Sequence, residues 1–178
     1  LYRHLARFLG VTPEPERVIA ARNERAQDYP AYVQALMRDA GIEQLVIDSG
    51  YPAHIPCDEF AVVAGLPVWE IVRIDQVMAE AALANDDFDR FVAAYRARLD
   101  EGLRQPRCVG LKSVIAYLTG LDIGPQDPAG AAVQFPAFRH EPDQRDFKLL
   151  RDYCFHVGLQ LCMEHNKVMQ IHLSLIHI

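Results

Sequence analysis

Apolar positions along this chain change period several times, and each change marks an element. Leu1, Leu5, Phe8 and Leu9 follow a helical stripe that Gly10 ends. Thr12 followed by Pro13 reads as the next helix start, with proline in the first turn. Asp28 is placed to cap a third helix that presents Val33, Leu36 and Met37 and stops at Gly41. Short apolar runs then begin to alternate with helical stripes. Leu45, Val46 and Ile47 run into the polar turn Asp48-Ser49-Gly50-Tyr51-Pro52, the pattern of a buried strand and its loop. Residues 58–64 predict a short helix ended by Gly65, and 68–74 a second strand carrying Arg73, with Asp75 just beyond. Residues 77–83 begin a helical stretch. Asp86 is placed to cap a long helix whose buried side carries Phe88, Phe91, Val92, Tyr95, Leu99 and Leu103.

A third strand is predicted over 107–111, extending toward Ser113, with 113–118 as a strand extension or a helical turn. Residues 122–143, rich in Pro, Gly and Ala, read as a long excursion over the open end of the sheet. Asp143 is placed to cap a last long helix with Phe147, Leu150, Tyr153, Cys154, Val157 and Leu161 on one face. Residues 167–172 form the fourth strand. Strands that alternate with helices imply βαβ units and a mostly parallel sheet. The order suits either a barrel or an open doubly wound sheet. No G-x-G-x-x-G or P-loop follows a strand, which lowers the nucleotide-binding reading.

Composition narrows the classes. A length of 178 residues suffices for one domain with a sizeable core, whereas a complete (β/α)8 barrel needs about 250. The expected fold is therefore α/β, a partial (β/α)8 TIM barrel with about four strands and an N-terminal helical segment. A net charge of -6 argues against nucleic acid or an anionic membrane as partner. No run of ~18 apolar residues is present. Expected instead are a small-molecule substrate and a cytoplasmic setting, with self-association as a homo-oligomer left open. Cys57, Cys108, Cys154 and Cys162 include no C-x-x-C pair and read as reduced, mostly buried thiols. The chain starts without Met and reads as an interior fragment of a longer protein. The final 173–178, Leu-Ser-Leu-Ile-His-Ile, match one reading frame of a transposase-based sequencing adapter. They are expected to be a non-native tail behind a domain of residues 1–172.

The candidate chemistry sits at strand ends, where parallel barrels keep reactive groups. Lys112 ends the third strand and His172 the fourth. Lysine is rarely buried unpaired, so Lys112 reads as a carbamate metal bridge, a counter-charge for a substrate carboxylate or a Schiff-base nucleophile, with a lysine that only escapes into the barrel mouth as the competing reading. Gln170 and His172 point to one face by strand alternation. Asp48 and Arg73 lie at the first two strand ends and are read as substrate-binding, with a structural Arg–Asp pair as the competing reading. Tyr51 and Tyr117 line the same end or pack at its rim. His54 lies in the loop after the first strand. His4, His140, His156 and His165 read as surface or capping residues.

Three segments carry a family resemblance: Asp48-Ser49-Gly50-Tyr51-Pro52, the run from Val109 through Lys112 to Leu121, and Val168-Met169-Gln170-Ile171-His172. Together they resemble the amidohydrolase superfamily, and more narrowly the amidohydrolase-2 group, which includes domains fused to glutamine synthetase-like domains in fungi and plants. The resemblance implies a metal-dependent barrel hydrolase of amide-type C–N bonds, with a divalent metal, zinc first. It implies His172 as the fifth-strand metal ligand and Lys112 as a fourth-strand catalytic or metal-bridging group, while the placing of Arg73, Asp48 and Tyr117 toward the substrate rests on their positions at or near the strand ends. The first-strand His-X-His pair is absent, Thr-Gly does not follow His172, and position 118 holds Leu where the pattern has Arg. The remaining readings are a carboxy-lyase of the same superfamily, a metal-free Lys112 Schiff-base enzyme, and a silent binding domain fused to a synthetase-like domain. On its own the fragment is expected to have little activity.

Overall fold

A computed structural model describes residues 2–48, 56–142 and 146–173. Tyr51, His54, Asp143 and the tail beyond Leu173 lie outside the described residues. The chain divides into two compact units, residues 1–45 with 55–68, and residues 46–54 with 69–178.

The first unit is helical. It holds α1 (Tyr2–Leu9), α2 (Pro15–Arg25), α3 (Tyr29–Asp39) and α4 (Cys57–Ala64). Ala6, Leu9, Val18 and Tyr32 form its core, with Leu5, Phe8 and Leu36 packed around them. Tyr32, rather than Val33 or Met37, is the buried residue of α3. The second helix starts later than expected: Pro15 takes the first turn and Glu14 the cap position, while the Thr12 hydroxyl donates to Glu14 at 2.7 Å. Asp28 caps α3 by accepting from the Ala31 N–H at 3.2 Å. Gly65 ends α4 at φ +67°, and a Cβ there would lie 2.6 Å from the Gln34 side chain, so both backbone and packing require glycine.

The second unit is built around the sheet. Its strands are β1 (Leu45–Ile47), which begins in the first unit, β2 (Val68–Arg73), β3 (Cys108–Ser113) and β4 (Val168–Ile171). They lie in the order β1-β2-β3-β4, and β2, β3 and β4 run parallel. The helices are α5 (Ile74–Ala84), α6 (Phe88–Arg104), the short α7 (Ile115–Leu118), α8 (Pro128–His140) and α9 (Lys148–Glu164). The fold is mixed α/β with a small sheet and many helices. None of the described helices is long and apolar enough to cross a membrane.

Strand register fixes which side chains share a face. Val72, Leu111 and Met169 align across β2, β3 and β4 and pack into the helical core. Arg73, Lys112 and Gln170 align one step on, and so stand on the opposite face. The strands approach closely at Gly110, where a Cβ would lie 2.3 Å from the Val168 carbonyl oxygen. Tyr95 is fully buried in α6, and its hydroxyl donates to the Cys154 carbonyl at 3.1 Å. Cys108, Cys154 and Cys162 are buried free thiols, and burial pushes all three up from the ordinary thiol range.

Three expectations are corrected. The excursion over 122–143 contains α8. Asp127 caps it by accepting from the Gly130 N–H at 2.9 Å, and Pro128 fills the first turn. Its Ala131, Phe135 and Phe138 are buried in the core, Phe135 4.8 Å from the Phe91 ring. The α6 cap is Asp87 rather than Asp86, accepting from the Arg90 N–H. The last helix starts at Lys148 with Phe147 in the cap position, which carries no side-chain cap bond, so its anchor is burial of Phe147 edge-on to Phe138.

Candidate functional site at the strand ends

Each strand delivers one polar group at its carboxyl end. Asp48 follows β1, Arg73 is the last residue of β2, Lys112 is next to last in β3, and His172 follows β4. The structure brings three of them together. Asp48 Oδ2 accepts from Arg73 Nε at 2.7 Å and from Lys112 Nζ at 3.0 Å, and also from Arg73 Nη2. The side chains are largely shielded, with exposures of 12% for Asp48, 13% for Lys112 and 20% for Arg73. Burial would raise the Asp48 carboxyl, but the bonds from Lys112 and Arg73 outweigh it and hold it below the usual carboxylate range. Register does the assembling: Arg73 pairs with Lys112 and Lys112 with Gln170, so two cations sit side by side on adjacent strands. Like charges at that spacing repel unless an anion lies between them, and Asp48 supplies it.

The turn after β3 is held from below. Asp75 Oδ2 accepts from the Val114 N–H at 2.8 Å, and the buried Ser113 hydroxyl accepts from the Ile115 N–H at 3.1 Å. Burial pushes the Asp75 carboxyl up, partly offset by the Val114 N–H. Asp75 is thus a buttress of the Lys112 segment. Its role was visible in the sequence only as an acid near a strand end.

Tyr117 and His172 form a second contact. Their rings lie 5.4 Å apart, tilted by 39°. His172 extends the strand pairing, its N–H donating to the Ser113 carbonyl at 2.9 Å, and its side chain is exposed. Among the described residues no hydrogen bond joins this pair to the Asp48 cluster. Nor does any group of three or more His, Cys, Asp or Glu among them have the geometry to hold a metal ion. His172 offers an imidazole, but Lys112 Nζ is engaged with Asp48. These residues do not by themselves compose a metal centre, and no step through a metal follows from them. Two further histidines, His156 and His165, make structural contacts. His156 Nε2 donates to the Gly124 carbonyl at 2.8 Å, and His165 lies 2.7 Å from Asp100. Asp100 is held down to about 2, chiefly by Arg104 and then by His165.

No family model and no curated protein matches the chain. A solved structure does: the 1.40 Å crystal structure of a protein from Lactobacillus casei ATCC 334 described as a "putative metal-dependent hydrolase". The two are 25% identical, with a TM-score of 0.75 over 82% of this chain. The match spans 40% of that protein, so this chain corresponds to less than half of its length. The chain shares the fold of that part.

Proposed function

We propose that this chain is part of a metal-dependent hydrolase with a (β/α)8 barrel of the amidohydrolase-2 type, acting on an amide-type C–N bond of a small molecule in the cytoplasm. The observation that carries the reading is the row of Asp48, Arg73, Lys112 and His172 at successive strand ends, in a fold shared with a protein named as a metal-dependent hydrolase. Residues 1–172 are the barrel-derived piece, and 173–178 a non-native tail.

In the intact protein His172 is one ligand of a divalent ion, zinc first, completed by residues outside this set. Such an ion, when bound, supplies an activated water at neutral pH. The chain's own contribution is to position. Asp48 fixes Arg73 and Lys112, Asp75 fixes the turn that carries Lys112, and Tyr117 flanks His172. Lys112 Nζ donates to Asp48 at 3.0 Å, a contact that suits a counter-charge role. A carboxy-lyase of the same superfamily uses the same framework and differs only in product.

The test is product analysis with a panel of N-acyl compounds, using the protein made from its complete gene. Release of a carboxylate and an amine, lost with a chelator and restored by zinc, supports the hydrolase. Release of carbon dioxide selects the lyase. Turnover indifferent to chelator removes the metal-dependent reading.

A further inference from the structure

We propose that Asp75 is the positioning residue of the whole strand-end site: by holding the Val114 N–H it keeps Lys112 and the His172–Tyr117 pair in one register. What the placed groups do rests on the hydrolase reading, whereas how they are held rests on the geometry where β3 leaves the sheet.

The β2–β3 register pairs Arg73 with Lys112 and, two steps on, would set residue 75 against Val114. By then the chain has turned into α5, which starts at Ile74. A strand would have supplied a carbonyl there, and Asp75 supplies its side chain instead, Oδ2 accepting from the Val114 N–H at 2.8 Å. On the other side of β3, the Ser113 carbonyl accepts from the His172 N–H at 2.9 Å, one step beyond the Ser113–Ile171 pairing. The Ser113 hydroxyl accepts from the Ile115 N–H at 3.1 Å and so opens α7, which carries Tyr117. Ser113 is fully buried and Ile115 1% exposed, so this junction moves only if the core around it moves. Lys112 lies directly before it, and His172 and Tyr117 are both hung from it. Among the described residues the His172 ring nitrogens make no hydrogen bond, so the ring takes its orientation from Tyr117, 5.4 Å away. One carboxyl thus sets the position of groups that share no direct hydrogen bond.

The experiment is NMR on the protein from its complete gene, with carbon-13 in lysine, histidine and tyrosine side chains, and metal content measured on the same samples. D75A is expected to shift the Lys112 Cε–Hε resonance and to abolish the NOE between the His172 and Tyr117 rings. D75N keeps an acceptor for the Val114 N–H while removing the charge that acts on Arg73 and Arg151, so it is expected to retain both signals. A merely structural role would lower the unfolding midpoint and leave both signals in place. Either signal unchanged in D75A, or D75N behaving as D75A does, overturns the positioning role. Where D75A does not fold, D75E, which moves the acceptor out by one methylene, is read in its place with the same outcomes. A protein that shows these changes yet holds no metal keeps the positioning role and loses the hydrolase reading. A metal-bearing protein whose signals stay in place in D75A does the reverse.

Discussion

At the scale of single residues, Asp48 matters most. Removing its carboxylate leaves Arg73 and Lys112 facing each other with little solvent to screen them. D48A is expected to lose roughly 3 kcal/mol of stability in urea unfolding, the low end for breaking a buried pair. The pH dependence has a definite sign. The folded carboxyl titrates below the unfolded one, so its contribution is fully present above the unfolded value of about 4 and is lost as pH falls through the lower folded value. Wild type should lose stability on acidification below about pH 4 more steeply than D48A, by the share this one group contributes. Parallel curves would mean that the cluster does not hold the carboxyl down. The sequence placed Asp48, Arg73 and Lys112 at strand ends because each closes an apolar run. That one carboxylate joins both cations depends on register, including the irregularity between Glu70 and Ile71, and no local pattern encodes it.

Among the elements, β3 and α8 show what local pattern can and cannot encode. The strands read clearly because short apolar runs bounded by turns have few alternatives. The helix α8 was hidden by Pro136 in its interior and by small residues along its length. Its start signal, Asp127 before Pro128, was nevertheless present. Phe135 and Phe138, one turn apart, bury it against α6 and α9 rather than leave it spread over the strand ends. F135A should cost about 3–5 kcal/mol in denaturant unfolding, the price of emptying a packed aromatic site, whereas a loop lying on the surface would lose little. In β3, G110A forces a Cβ against the Val168 carbonyl. It should cost about 1–3 kcal/mol and disturb the register that aligns Lys112 with Gln170. An unchanged unfolding midpoint in G110A would show that the alignment tolerates the shift.

For the molecule as a whole, the sheet has a helix-covered face and a face bearing charged and apolar groups. β4 is its last strand, with Val168 63% exposed and Ile171 40% exposed. An exposed apolar strand at a sheet edge is a template for pairing. The 178-residue chain should therefore self-associate as its concentration rises, and V168K should reduce that in light scattering. In the proposed complete barrel the same surface lies inside, where further strands cover it. In the proposed function this four-stranded sheet belongs to a metal-dependent hydrolase and His172 holds part of its metal. Metal analysis of the protein from its complete gene, beside the H172A variant, tests that most directly. The account predicts a bound divalent ion in the wild type and a sharp fall in H172A with the fold retained. Metal absent from the wild type when zinc is supplied at neutral pH, or metal equally retained in H172A, would contradict it.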